Sequence, residues 1–179
     1  MNLPNIITVA RILLVPVFVI VYLSPGASTY IVAATLFALA AATDWLDGYL
    51  ARRLNQTTPF GAFLDPVADK LIVVSALVIL LAEHASIWLT LPGLVIVGRE
   101  IVISALREWM AEMNSSVTVA VSYLGKIKTS LQMIAITVLL AMPPSSESPF
   151  MLAAYALLYL AALMTFWSMS CLLYTSDAA

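Results

Sequence analysis

Six long apolar runs constrain this chain more than any other feature of it. They lie near Ile6 to Leu23, Tyr30 to Ala51, Pro59 to Leu81, Ile87 to Arg107, Leu124 to Met142 and Phe150 to Leu173. A helix needs roughly 20 apolar residues to cross the hydrocarbon core of a bilayer. In lipid, backbone groups must be satisfied within the spanning structure, which leaves helices or a closed barrel. Runs this long and this continuously apolar do not suit alternating strands. The predicted fold is an all-α integral membrane protein, a bundle of six transmembrane helices. Composition agrees, with 63% hydrophobic residues, 10% charged residues and a mean hydropathy of +1.02. Six spans use up 179 residues, so the whole of 1–179 reads as a single membrane domain. Its ending, Tyr174 to Ala179, reads as a frayed or truncated tail.

The basic residues set the orientation. Arg52 and Arg53 lie between spans two and three, and Arg107, Lys126 and Lys128 flank the connection between spans four and five. The connections around Ser24 to Thr29, Glu83 to Ser86 and Pro143 to Ser148 contain no Lys or Arg. Positive residues stay inside, which predicts both termini and the two basic loops in the cytoplasm. A net charge of -2 argues against a nucleic-acid binder. The single cysteine, Cys171, excludes an internal disulfide framework and a Cys-rich metal site. Arg11 interrupts the first apolar run instead of preceding it, so a cleaved secretory signal is not expected.

The charges that matter sit together. Asp44, Asp47, Asp65 and Asp69 fall in the stretch joining spans two and three. At 100° per residue, Asp44, Asp47, Gly48 and Ala51 share one face at the end of span two. Thr58 followed by Pro59 reads as an N-cap and first helical residue. Gly61, Asp65 and Asp69 then share a face of span three. Two antiparallel helices joined by a short turn would bring four carboxylates together at the cytoplasmic edge, on helices two and three. Such charges near a low-dielectric region need cations or raised pKa values. With neither Cys nor His nearby, the donor set favours Mg²⁺ or Mn²⁺ over Zn²⁺. Gly48 and Ala51 leave helix surface bare enough for a ring or phosphate to approach. The bland alternative is a solvated acidic turn with small-residue helix packing.

Here the residues resemble a known family. Asp44-Trp45-Leu46-Asp47-Gly48-Tyr49-Leu50-Ala51-Arg52, then eight residues to Gly61, three to Asp65 and three to Asp69, matches the signature of the CDP-alcohol phosphotransferases at every fixed position. Looser motifs resemble that family's bacterial glycerol 3-phosphate branch. These are Asn5 to Arg11, Phe60 to Lys70, Arg99-Glu100 with Arg107-Glu108-Trp109, and Gly125 to Thr129.

The resemblance implies transfer of a phosphatidyl group from CDP-diacylglycerol to glycerol 3-phosphate, with release of CMP. It implies Asp44, Asp47 and Asp65 as metal ligands, and Asp69 as a further ligand or the general base. It implies Gly48, Ala51 and Arg52 at the CDP group, although Arg52 also suits an interfacial anchor. Asn5, Thr8 and Arg11 share a stripe and either touch the diphosphate or anchor the interface. Arg99 and Arg107, eight residues apart on span four, are candidates for the acceptor phosphate, with a simple Arg99–Glu100 ion pair as the alternative. Lys126 and Lys128 suit the same anion site or interfacial anchoring. Membrane lipid, a bacterial inner membrane and a homodimer are expected with it.

Other residues read as ordinary. His84 fits a solvated histidine in a non-cytoplasmic turn. Asn55-Gln56-Thr57 and Asn114-Ser115-Ser116 match a glycosylation pattern but lie on the predicted cytoplasmic side. Trp45, Trp88, Trp109 and Trp167 read as interfacial aromatics. Two competing readings stay open. One is the same chemistry on another acceptor, inositol phosphate or phosphatidylglycerol. The other is a cation transporter, which would more naturally spread its carboxylates through mid-membrane depth over several helices.

Overall fold

The computed structural model describes residues 3–26, 28–54, 59–112, 123–145 and 148–177, with side chains for 6–26, 28–43, 61, 63, 64, 66–105, 127–145 and 148–167. Among the described residues the chain forms six helices and no strand. They are α1 (Leu3–Leu23), α2 (Thr29–Leu54), α3 (Pro59–His84), α4 (Ile87–Glu112), α5 (Tyr123–Leu140) and α6 (Pro149–Asp177). Three stretches, Ile6–Leu23, Ile87–Ala105 and Pro149–Trp167, are long and apolar enough to cross a membrane. Apolar side chains also cover the outside of the bundle, with Leu94, Leu152, Leu163 and Trp167 more than half exposed. An outer surface of that kind suits lipid as solvent, since water-soluble folds avoid broad apolar patches.

Several helices outrun their apolar runs. Hydropathy marks the part of a helix that lipid tolerates, whereas backbone hydrogen bonding propagates until something stops it. Thus α4 continues to Glu112, five residues past the predicted end at Arg107. Likewise α6 runs to Asp177, into the ending expected to fray. Where a stop exists, the helix obeys it. Pro143 and Pro144 follow α5, which closes at Leu140. α3 ends at His84, and the next residue, Ala85, has a left-handed φ of 44° and an N–H that donates to the Leu81 carbonyl at 3.2 Å. The Ser86 carbonyl then accepts from the Leu89 and Thr90 amides and opens α4. Pro59 begins α3 as predicted, while its expected cap Thr58 lies outside the described residues.

Side-chain contacts give the helix directions. Phe18 meets Phe37 edge-on at 6.2 Å between ring centroids, and Tyr22 meets Tyr30 at 5.3 Å, so α1 and α2 run antiparallel. Lys70 reaches Ser104, while Leu81 lies 3.2 Å from where a Cβ on Gly93 would stand, so α3 and α4 are antiparallel too. α1 packs extensively on both α2 and α3, whereas α2 and α3 touch each other only slightly among the described residues. Among the described residues, α1 provides most of the packing for both. α5 packs on α6, α2 and α3, and α6 also packs on α4. Phe18, Phe37, Leu77, Leu80, Leu89, Ile136, Leu139 and Leu158 fill the core.

Candidate active site

Among the described residues, the fully buried charged side chains lie toward one end of this bundle. On α1, the buried stripe Tyr22, Phe18, Val15 becomes Arg11 and Thr8 toward the helix start. On α5, the stripe Leu139, Ile136, Ala135 becomes Gln132 and Lys128 toward its start. Arg11 is 3% exposed and Lys128 2%. Sequestering a cation costs several kcal/mol unless it is paired, and neither of these is without a partner. Buried charge that a bundle could replace with leucine points to a functional region.

The α1–α2 register brings the acidic signature to the same level. Thr8 precedes Phe18 by ten residues and Arg11 precedes it by seven, while Asp47 follows Phe37 by ten and Asp44 by seven. With equal rise per residue, Thr8 stands level with Asp47 and Arg11 with Asp44 along the helix axes. The buried line of α2, Ala33, Phe37 and Ala40, leads by helical register to Asp44, Asp47 and Ala51. The side chains of Asn5, Asp44, Asp47, Gly48, Ala51, Arg52 and Asp65 lie outside those described, so the metal and CDP contacts expected of them are not visible. Among the described residues no group of three or more His, Cys, Asp or Glu gathers.

On α3, Gly61 and Ala68 are buried and Asp69 is half-buried. Next to Asp69, Lys70 donates from Nζ to Ser104 Oγ at 2.5 Å. That bond ties the start of α3 to the end of α4 and fixes their register. Arg107 therefore stands level with Val67, between Asp65 and Asp69 in height. Arg99 stands level with Ser75, about 9 Å further into the bundle than Asp69. Both arginines lie on α4, yet only Arg107 reaches the level of the aspartates along the helix axes. The side chains of Arg107 and Lys126 are not among those described. Arg99 Nη1 donates to Glu100 Oε1 at 2.6 Å, and Arg99 Nε is buried without a hydrogen-bond partner. The simple ion pair thus exists and leaves part of the guanidinium unused.

Sequence reasoning overlooked Ser104, Gln132 and Thr165, and gave Lys70 no role. Gln132 is 3% exposed, and its Oε1 has no hydrogen-bond partner; Thr165, on α6, is equally buried with an unpaired Oγ1. A glutamine one turn after a lysine inside an apolar run was the available signal for Gln132. Nothing local marks Ser104, which acquires its meaning through a lysine 34 positions away. His84 lies at the opposite end. Its Nδ1 is 3.1 Å from the Leu80 carbonyl and its Nε2 is buried, so it is less solvated than expected, and burial lowers its pKa from the ordinary 6.5. Trp88 and Trp167 are well exposed, as interfacial aromatics should be. The tripeptides at Asn55 and Asn114 fall outside the described residues, as do the side chains of Trp45 and Trp109.

Comparison with known proteins gives these features a context. A family profile described as CDP-alcohol phosphatidyltransferase matches residues 1–167. A protein of Pseudomonas fluorescens named CDP-diacylglycerol--glycerol-3-phosphate 3-phosphatidyltransferase is 55% identical over 170 residues, covering 94% of this chain and 87% of its own. Proteins of the same name from Salmonella paratyphi A and Sodalis glossinidius are each 49% identical. The first alignment covers 94% of this chain and 91% of the relative, the second 98% and 95%.

Proposed function

The chain belongs to the CDP-alcohol phosphatidyltransferase family, and from that premise we propose that it transfers the phosphatidyl group of CDP-diacylglycerol to glycerol 3-phosphate, giving phosphatidylglycerophosphate and CMP. The observation that carries the reading is likeness to relatives of that name at about half identity over nearly the whole chain. The chain is a membrane enzyme of phospholipid synthesis.

Each residue's part follows from the chemistry. Asp44, Asp47 and Asp65, with Asp69 as a fourth oxygen donor or the base, form an all-carboxylate set that suits Mg²⁺ or Mn²⁺. When bound, that ion neutralises diphosphate charge and stabilises the phosphate of departing CMP. Gly48 and Ala51 leave room for cytidine, and Arg52 lies near its phosphates. Asn5, Thr8 and Arg11 approach the diphosphate from α1, a role supported by the burial of Thr8 and Arg11 at the level of the signature. Asp69 takes the proton from the terminal hydroxyl of glycerol 3-phosphate as its oxygen bonds to the lipid-linked phosphorus. The bond to the CMP oxygen breaks, and the diacylglycerol phosphate stays with the new alcohol. Arg107, Lys126 and Lys128 bind the acceptor phosphate, and Arg99 supports that site from deeper in the bundle.

The same reading has the helices cross the membrane six times, with both termini and the active site on the cytoplasmic face of a bacterial inner membrane. The enzyme works as a homodimer among its lipid substrates. Purified protein given CDP-diacylglycerol and a panel of alcohols tests the function. Mg²⁺-dependent CMP release is expected with glycerol 3-phosphate and not with inositol phosphate or phosphatidylglycerol. Equal or greater release with either of those would overturn the acceptor assignment.

A further inference from the structure

Gln132 stands out as a buried polar group with nothing to do. Its residue is 3% exposed, yet its Oε1 accepts no hydrogen bond. An unsatisfied buried carbonyl oxygen is destabilising, and polar side chains that join membrane helices do so by bonding across them. Gln132 makes no such bond, so helix adhesion does not account for it.

Its position does. Lys128 lies one turn before it on the same buried face of α5. α5 packs against both α2 and α3, the helices that carry the aspartates. A cation and, one turn deeper, an acceptor oxygen form a pair that suits a phosphate with a hydroxyl two carbons away.

We propose that Gln132 is a specificity residue of the acceptor site, its Oε1 accepting a hydrogen bond from the middle hydroxyl of glycerol 3-phosphate. This rests on the acceptor reading above and extends it to one atom. A site that binds a hydroxyl through a buried acceptor discriminates against an analogue lacking it, because the acceptor is then left unpaired.

The probe is 3-hydroxypropyl phosphate, which keeps the phosphate and the attacking hydroxyl and lacks only the middle one. The native enzyme should prefer glycerol 3-phosphate by tenfold or more in kcat/KM. Gln132→Met keeps length and removes the acceptor. It should lower kcat/KM for glycerol 3-phosphate about tenfold to a hundredfold, mainly through KM, leave 3-hydroxypropyl phosphate nearly unchanged, and so erase the preference. KM for CDP-diacylglycerol should stay put, and thermal stability should hold or rise, whereas a structural role predicts that it falls. A Gln132→Met enzyme that still prefers glycerol 3-phosphate overturns the proposal, as does a native enzyme that uses both acceptors equally. If Gln132→Met does not fold, Gln132→Glu retains an oxygen acceptor and should retain the preference; its loss there is also contradictory. Absence of CMP release from the native enzyme with glycerol 3-phosphate would instead overturn the acceptor reading itself, and this proposal with it.

Discussion

The two ends of this bundle are built on opposite terms. At one end, Phe18, Phe37, Leu77, Leu80, Leu89 and Leu139 pack as an apolar core, with two edge-on aromatic pairs between α1 and α2. At the other, the same helices bury Thr8, Arg11, Lys128, Gln132 and Thr165 and hold the Lys70–Ser104 and Arg99–Glu100 contacts. Helices in lipid associate through close packing and interhelical hydrogen bonds, with little hydrophobic drive between them. The apolar end supplies the packing. Held together there, the helices can tolerate costly charged groups at the far end, where the reaction needs them. Stability and chemistry are thus separated along one axis, and substitutions at the two ends should fail in different ways.

The largest effect is expected at the polar end, where two aspartates of similar chemistry should behave differently. Asp69→Asn keeps the side-chain size but accepts no proton at neutral pH, so single-turnover CMP release should fall by about 10² to 10⁴. Metal-dependent CDP binding should survive. Asp44→Asn should weaken metal and CDP binding together, because a ligand acts before the chemical step as well as during it. Equal loss of CDP binding in the two variants would make Asp69 chiefly a ligand.

The apolar end should respond in stability. Phe37→Ala removes one ring of the Phe18 pair from a fully buried site. Since no transfer to water is involved, the loss is one of packing and cavity formation, about 3 kcal/mol. Unfolding in detergent should shift accordingly, while KM for both substrates in the folded fraction stays within about twofold. A change in KM as large as the change in stability would break the separation of the two ends.

A smaller effect sharpens the polar end internally. Arg107 stands at the height of Asp65 and Asp69, and Arg99 about 9 Å deeper. Arg107→Gln should raise KM for glycerol 3-phosphate by the equivalent of about 1.5 to 3 kcal/mol, and KM for CDP-diacylglycerol far less. Equal changes in both would refute the assignment. The smallest effect belongs to the apolar end. Ala85 adopts a φ of 44°, which costs a residue with a Cβ about 1 to 2 kcal/mol. Ala85→Gly relieves that strain but frees the unfolded chain, so a net gain of no more than about 1 kcal/mol is expected, with unchanged kinetics.

Much of this division was legible in the sequence. Apolar run lengths located all six helices, and α1 closes at Leu23, α3 opens at Pro59 and α4 opens at Ile87, as predicted. Helical periodicity was enough to align Asp44 with Asp47, and Asp65 with Asp69, because those relations lie within single helices. Relations between helices were less accessible. That α1, and not α3, supplies most of the packing for α2 depends on which faces find each other in three dimensions. The depth difference between Arg99 and Arg107 relative to the aspartates emerges only once Lys70 and Ser104 fix the α3–α4 register. The burial of Gln132 Oε1 without a partner is visible only in the folded chain.

The proposed arrangement puts the acidic signature and the basic residues at one end of a membrane-crossing bundle, on the cytoplasmic side. Single cysteines placed at Gln56, Ser115 and Ser146 in a chain with Cys171→Ser, labelled in intact cells and in inverted vesicles with a membrane-impermeant maleimide, test it most directly. Cysteines at positions 56 and 115 should react only in inverted vesicles, and the one at 146 only in intact cells. Reaction of positions 56 and 146 from the same side would contradict the six-span arrangement, and with it the gathering of the catalytic residues at one end.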